Sequence, residues 1–382
     1  MPPRSRPRVA GFAGDACSLE RCAIVGSGLA GLVAYAALRR GGVEPGEIAV
    51  FGEDPDPAAV WRRRAAAIRQ RRMRSESDGH CLPSTFPGLA VRAAVRRRSV
   101  RPLLASLLDR YHPTVAEFLD HVERVRERSG WDRSFRPRKV TRVRSVDGGF
   151  ELDGDGPFRH VLIAPGHPGL AMPAELVGDA RAVHAYEPHD YADEVVVVGA
   201  GMAAATEWLN ALAAGASVVS VRRREPERRP LNLPRPLFTR RGLATFHASS
   251  DADRVSALRR WSAASYPPGP EWDEPIVAAA REGRFRVEAS VNGAAQIVCA
   301  TGFLRGFRHD PLLRDLVAEH GLRTVESWIA VDADSTVPEL TDETRTLALS
   351  GACAQWAFPG ADTLAGARYA AHGFLRRVKL SR

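Results

Sequence analysis

Short apolar runs punctuated by glycine divide the chain into a strand–turn–helix–strand unit that occurs twice. In the first unit Arg21–Val25 is an apolar run of strand length, Gly26–Gly31 reads GSGLAG, and Leu29–Arg40 has the alanine and leucine content of a helix. Gly41-Gly42 ends that helix, and Ile48–Phe51 follows as a second strand that closes at Glu53. In the second unit Glu194–Val198 is dominated by valine, Gly199–Ala204 reads GAGMAA, and a helix continues through Glu207, Trp208 and Leu212. Ser217–Val221 is then a strand that ends in Arg222, Arg223 and Arg224. Strands alternating with helices in this way predict an α/β protein with parallel sheets.

The remaining pattern fills in around these units. Ala58–Arg74 is helix-forming and leads into a Ser, Gly and Pro-rich loop, Ser75–Gly88. Thr114 and Glu117 make a capping box ahead of Val115, Phe118, Leu119, Val122 and Val125, apolar positions at helical spacing that Gly130 stops. Val140–Val146, Phe150–Leu152 and Val161–Ala164 are separated by glycine turns and predict a small antiparallel ribbon beside the main sheet. The proline-rich stretch Pro165–Asp193 reads as a crossing between domains. Phe285–Ala289, Ala295–Cys299 and Leu347–Gly351 are later strands, and Asp362–Val378 a closing helix. Residues 225–275 hold one helical patch, Arg254–Trp261, and no assignable chemistry. The division predicted is a loose leader at 1–20, a first domain at 21–168, an inserted domain at 169–294, and the return of the first domain at 295–382.

Composition narrows the class without changing this outline. At roughly 150 residues per domain, 382 residues hold two domains or one domain inserted in another. With 45% hydrophobic and 26% charged residues, the chain is an ordinary globular one, unlike disordered, collagen-like or membrane sequences. The net charge of +9 comes almost wholly from arginine, Lys139 and Lys379 being the only lysines. The arginines are spread along the chain with no recognition motif, which argues against a nucleic-acid partner. The five cysteines form no CxxC pair, so neither a dithiol redox centre nor a metal site is expected. The N-terminal segment lacks an apolar signal core and no apolar run is long enough to span a bilayer, so no membrane and a cytoplasmic location are expected.

The glycine turns carry the chemistry. Each follows an apolar strand and opens a helix, the setting in which bare backbone amides and the positive helix end receive a pyrophosphate. Gly26 permits the tight turn, Gly28 lets phosphate approach the main chain beside Ser27 and Ala30, and Gly31 lets helix press on strand. Glu53, about 20 residues further on, is placed to accept hydrogen bonds from a ribose hydroxyl, with Asp54 equally available. In the second unit Gly199, Gly201 and Ala204 repeat the pattern. No acid ends its next strand; instead, Arg222 and Arg223 favour a 2′-phosphate, and hence NADPH.

Two such turns, with Ala164-Pro165-Gly166-His167 after the first unit and Ala300-Thr301-Gly302-Phe303 after the second, resemble the two-dinucleotide-binding flavoprotein superfamily. Within it the chain is most similar to the class B flavin-dependent monooxygenases, the N-hydroxylating and Baeyer–Villiger type. The resemblance implies two Rossmann-like domains, FAD in the first and NADPH in the second, with Gly302 at a cofactor-contacting strand end. It implies hydride transfer to FAD, reaction of the reduced flavin with molecular oxygen, and delivery of oxygen to a small-molecule substrate through a flavin hydroperoxide. Arg74 and Ser75 correspond to a segment passed beside the flavin ring, His184 is a weak candidate for proton work, and Asp362 is a candidate cap for a helix end that points at the flavin. Pro165 stands where relatives carry threonine, and no Asp occurs in Leu349–Ala352. A flavin NAD(P)H reductase or oxidase that inserts no oxygen, and a non-catalytic dinucleotide sensor, therefore stay open beside the monooxygenase.

Overall fold

The computed structural model of the chain describes residues 21–73, 88–107, 111–229, 233–291 and 293–381. Two five-stranded sheets, each parallel throughout, carry the fold. Edge to edge, the first sheet runs Thr346–Leu349, His160–Ile163, Cys22–Val25, Ile48–Gly52 and Phe135–Pro137. The second runs Phe285–Glu288, Ser217–Val221, Glu194–Val198, Ile297–Cys299 and Ala182–His184. Every strand of the second sheet falls in the chain between His160–Ile163 and Thr346–Leu349, so the second unit is an insertion in the first.

Parallel strands are covered on both faces, which is why the central ones are apolar without alternation. Cys22–Val25 and His160–Ile163 are buried at every position. This corrects one expectation. The antiparallel ribbon is made of Val143–Val146, Gly149–Leu152 and Asp155–Phe158, while the run expected as its third strand pairs in the parallel sheet with Cys22–Val25 and Thr346–Leu349. A second correction concerns the boundary at residue 295. Ile297–Cys299 hydrogen-bonds between Glu194–Val198 and Ala182–His184, and Ala300 packs in the same core, so the inserted unit extends through Ala300.

Local signals behave as their physics predicts where they are self-contained. The Thr114 hydroxyl accepts from the Glu117 N–H at 3.1 Å and the Glu117 carboxylate accepts from the Thr114 N–H at 2.9 Å, closing the capping box of helix Val115–Ser129. The run from Ala58 is helical only over Ala59–Ala67, because Arg69 turns to a φ of 49° and Arg72 bridges to Thr114. Within residues 225–275, helices Arg240–Ala248 and Asp251–Trp261 put Leu243, Phe246, Val255 and Leu258 into the core of the first unit. The His247 ring donates to the Ala357 carbonyl at 2.6 Å, and the Arg254 guanidinium lies 4.0 Å from the Trp356 ring centre. The inserted chain thus returns to brace the unit it left. Among the described residues no helix is long and apolar enough to cross a membrane, and no group of three or more potential metal ligands forms.

A buried polar cluster holds the two units together. Glu207, on the helix of the second glycine turn, is fully buried and accepts from His189 Nε2 at 2.9 Å and from the Tyr191 hydroxyl at 2.8 Å. His189 Nδ1 also donates, to the Glu187 carbonyl at 2.7 Å, so both ring nitrogens are engaged. Burial pulls its pKa down, but the bonds to Glu207 and Glu187 outweigh burial and raise it. Arg69 of the first unit stacks on Tyr191 at 4.6 Å, and Asn210 donates to the Ile68 carbonyl at 2.8 Å.

His121 and His160 contribute to the acid limit of this fold. Burial foremost, with Arg92 and Arg124 beside the one and Arg21 and Arg159 beside the other, lowers each from 6.5 to about 4. Unfolding restores their ordinary values, so from pH 6.5 down to about 4 the unfolded chain binds more protons than the native one, and stability falls as pH falls. The urea midpoint is expected to drop between about pH 7 and about pH 5. A flat profile across that window would contradict the burial of neutral rings.

Candidate functional site

Each glycine turn is shaped by a contact with the neighbouring strand. Gly26 has a φ of +111°, and a Cβ on it would sit 2.0 Å from the Ala164 carbonyl oxygen. A Cβ on Gly31 would sit 2.1 Å from the Gly26 carbonyl oxygen, so only glycine allows the helix to rest on the turn. Gly28 is the reverse case, since a Cβ there would meet nothing within 4 Å. It is the N-cap of helix Leu29–Arg40, with no capping side chain and no acid in the first turn. Ser27 lies beside it against Gly52, and Ala30 is half-buried in the first turn. The amides of this helix end therefore face open space with the positive end of the helix behind them.

The second turn repeats the geometry. Gly199 has a φ of +134°, with a Cβ position 2.5 Å from the Ala300 carbonyl oxygen, and a Cβ on Gly201 would again meet nothing within 4 Å. Gly201 caps helix Met202–Ala213 without a side-chain bond or a nearby acid, and Ala204 is fully buried in the place of Gly31. The selector positions follow on the next strands. Glu53 is exposed and has no partner among the described residues, whereas Asp54 is engaged by Arg63 at 3.7 Å and by the Asp56 N–H at 3.0 Å. Glu53 is thus the freer acid. Arg222 pairs with Glu225 at 2.7 Å over the Trp208 ring, and Arg223 is exposed.

Both sheets are laid out in the same sense around their turns. In each, one neighbour of the turn strand supplies the carbonyl that presses on the first glycine, Ala164 or Ala300, and the other neighbour ends at the selector, Glu53 or Arg222. Beyond the carbonyl side of the first sheet, at the C-terminal ends of His160–Ile163 and Thr346–Leu349, lies a small, partly open pocket. Its walls come from Gly166–Pro168, Leu304–Gly306, Asp310, Ala352–Cys353, Gln355 and Asp362. A ligand laid along this edge meets Glu53, the glycine turn and the pocket in order, across three strand spacings or about 14 Å.

The matching position of the second sheet holds a column of rings. His184 stacks on Tyr186 at 5.6 Å, Tyr186 on Phe303 at 4.9 Å, and Phe303 on His167 at 4.2 Å. Arg64 of the first unit lies 4.6 Å from the Phe303 ring centre, and burial lowers its pKa. The two crossings between units run antiparallel here, with Ala171 N–H donating to the Gly302 carbonyl and Leu304 N–H to the Gly169 carbonyl, both at 3.0 Å.

Several candidates take on definite positions. His184 Nδ1 accepts from the Tyr186 N–H at 3.1 Å, and Nε2 donates to the Gly302 carbonyl at 3.0 Å. Both nitrogens are used by the backbone, and burial lowers the pKa, so His184 ties the hinge and is not free for proton transfer. Gly302, with its carbonyl taken twice, belongs to the same tie. Asp362 does not cap the last helix. The hydroxyl of Thr363 does, accepting from the Gly366 N–H at 3.2 Å, because Thr363 has the extended backbone of an N-cap while Asp362 lies one residue earlier on the pocket wall. Arg74 and Ser75 lie outside the described residues. His167, Tyr186, Phe303 and Arg64 also meet here, with no role legible in the sequence; the one signal is that His167 and Phe303 each end a short segment following a sheet strand.

No family model matches the chain, and no curated protein matches it by sequence. Solved structures do. The ornithine hydroxylase PvdA of Pseudomonas aeruginosa superposes with a TM-score of 0.68 at 16% identity, covering 94% of this chain and 100% of that one. The ornithine N-hydroxylase KtzI of Kutzneria sp. 744, solved with reduced FAD, NADP+ and L-ornithine, gives 0.70 at 17% identity, covering 94% and 100%. The FAD-bound cadaverine monooxygenase DfoA of Erwinia amylovora gives 0.69 at 14% identity, covering 94% of each chain. At such identities the likeness establishes the fold, which is that of these two-domain flavoproteins.

The glycines separate packing from ligand contact. Gly26→Ala and Gly199→Ala, each driving a methyl into a carbonyl oxygen, are expected to cost about 3 kcal/mol or more. Gly28→Ala and Gly201→Ala are expected to cost about 1 kcal/mol or less. Urea unfolding of the four variants checks this, and equal losses at all four positions would refute the assignment.

Proposed function

We propose that the chain is an FAD- and NADPH-dependent oxidoreductase, a monooxygenase that transfers one atom of molecular oxygen to a small molecule. The observation that carries the reading is the pair of open glycines, Gly28 and Gly201, each over an uncapped helix end at the C-terminal edge of its own parallel sheet. These cradles fit a pyrophosphate, and a side chain at either would fill the space it needs. In the first site the Gly26–Gly31 amides hold the FAD pyrophosphate and Glu53 accepts from its ribose. In the second the Gly199–Ala204 amides hold that of NADPH, while Arg222 and Arg223 take the 2′-phosphate.

When bound, the flavin supplies the redox chemistry, taking electrons from NADPH and passing them to oxygen. The chain's own residues orient the two nucleotides and line a pocket at the junction of the units. Asp310 and Asp362 place carboxylates on its wall and Arg305 a guanidinium. The ornithine hydroxylases and the cadaverine monooxygenase that share the fold support oxygen transfer to a small molecule over the alternatives. Among the described cysteines, burial raises Cys299 to about 11 and Cys353 to about 12, which gives a dithiol route through these two no support.

The purified chain is expected to bind FAD, to lose flavin absorbance on anaerobic addition of NADPH, and to consume oxygen with NADPH when substrate is present. Reoxidation that yields only hydrogen peroxide with every small molecule tried would favour the reductase or oxidase, and absence of bleaching would favour the sensor. Replacing Arg222 and Arg223 with Ser is expected to weaken NADPH about tenfold or more and to leave NADH nearly unchanged. Equal loss for both coenzymes would remove the arginines from the 2′-phosphate.

A further inference from the structure

The strongest unassigned group in the molecule is the imidazole of His167. It follows strand His160–Ile163 of the first sheet by four residues, on the crossing that leaves the first unit. One face is fixed on Phe303, with ring centres 4.2 Å apart and planes 13° from parallel. The residue lines the pocket, and its Nδ1 is buried without a partner among the described residues. A buried ring nitrogen left unpaired is costly, and native structures resolve it with water or a ligand. Burial lowers the pKa to about 4 against the opposing pull of Asp362, with Arg64 and Arg305 adding to the depression. At neutral pH the ring is therefore uncharged, with one N–H and one bare nitrogen, so it offers both a donor and an acceptor.

Position gives this nitrogen its ligand. On the first-sheet edge Glu53 marks the ribose end of the path and the Gly26–Gly31 turn its middle, which leaves the pocket for the ring end. The inference thus rests on the FAD reading above and extends it to one residue. We propose that His167 is a ligand-contacting residue of the first site, its Nδ1 hydrogen-bonding the polar edge of the bound flavin ring while its face stays stacked on Phe303. The crossing back from the second unit, through Phe303, then sets the angle at which this contact is offered. His167 is a link between the two nucleotide sites that neither glycine turn provides.

Two variants separate the hydrogen bond from the stack. H167F keeps an aromatic face on Phe303 and removes the nitrogen; H167N returns an amide near the Nδ1 position. Apoprotein of each, shown folded by circular dichroism and an unchanged urea midpoint, is titrated with FAD by quenching of flavin fluorescence, and the absorption band of the bound flavin is recorded. H167F is expected to bind FAD about five- to tenfold more weakly, the loss of one hydrogen bond, with a shifted band, and H167N to lie within about twofold of the unsubstituted chain. An H167F titration and spectrum equal to those of the unsubstituted chain overturn the proposal, as does equal weakening in both variants. If the unsubstituted chain itself fails to bind FAD, the reading of the first site falls and this inference falls with it.

Discussion

The architecture depends on a contact between two main chains. At the end of the central strand in each sheet, a glycine of positive φ lies against a carbonyl of the next strand, Gly26 against Ala164 and Gly199 against Ala300, with no room for a side-chain atom. That contact forces the chain to turn at once into a helix and brings the N-terminal amides of the helix to the C-terminal edge of the sheet. The turn must be bare to pack, and a bare turn leaves its amides unsatisfied. Close packing and open amides are thus one constraint seen from its two sides, and the same six-residue pattern meets it in both units.

The contact also fixes where the rest of each site falls. Because the carbonyl comes from one neighbouring strand and the selector from the other, the proposed function lays each nucleotide in one direction. In the first unit the far end of that direction is the pocket; in the second it is the ring column that ends in His167. The crossings that carry Ala164–Ala171 and Ala300–Leu304 run side by side, so the two far ends meet at the hinge. The buried Glu207–His189–Tyr191 cluster and the return of helices Arg240–Ala248 and Asp251–Trp261 hold the units in that relation. On the proposed function, this is how two nucleotides are made to share one reaction space.

Much of this is legible in the sequence because it is local. A glycine turn, its strand and its helix lie within about 30 residues, and the capping box at Thr114 within four, so residue type and spacing specify them. Glu53 is legible as a candidate, but its advantage over Asp54 depends on the ion pair with Arg63, which only folding reveals. Strand His160–Ile163 is misread as ribbon because a short apolar run carries no information about its partners. His167, Phe303, Tyr186 and Arg64 are brought together from four separate segments, with no pattern linking them. His184 shows the converse: a histidine in a linker invites a catalytic reading, and only its two backbone bonds show it to be structural.

The most direct test is a crystal structure of the chain grown with FAD and NADP+ together. The account predicts two separate pyrophosphates, one against the amides after Gly28 and one against those after Gly201, with the ring ends directed toward the shared hinge and the adenosine ends toward Glu53 and Arg222. Density for a single nucleotide, or for pyrophosphates seated away from both glycines, would contradict it.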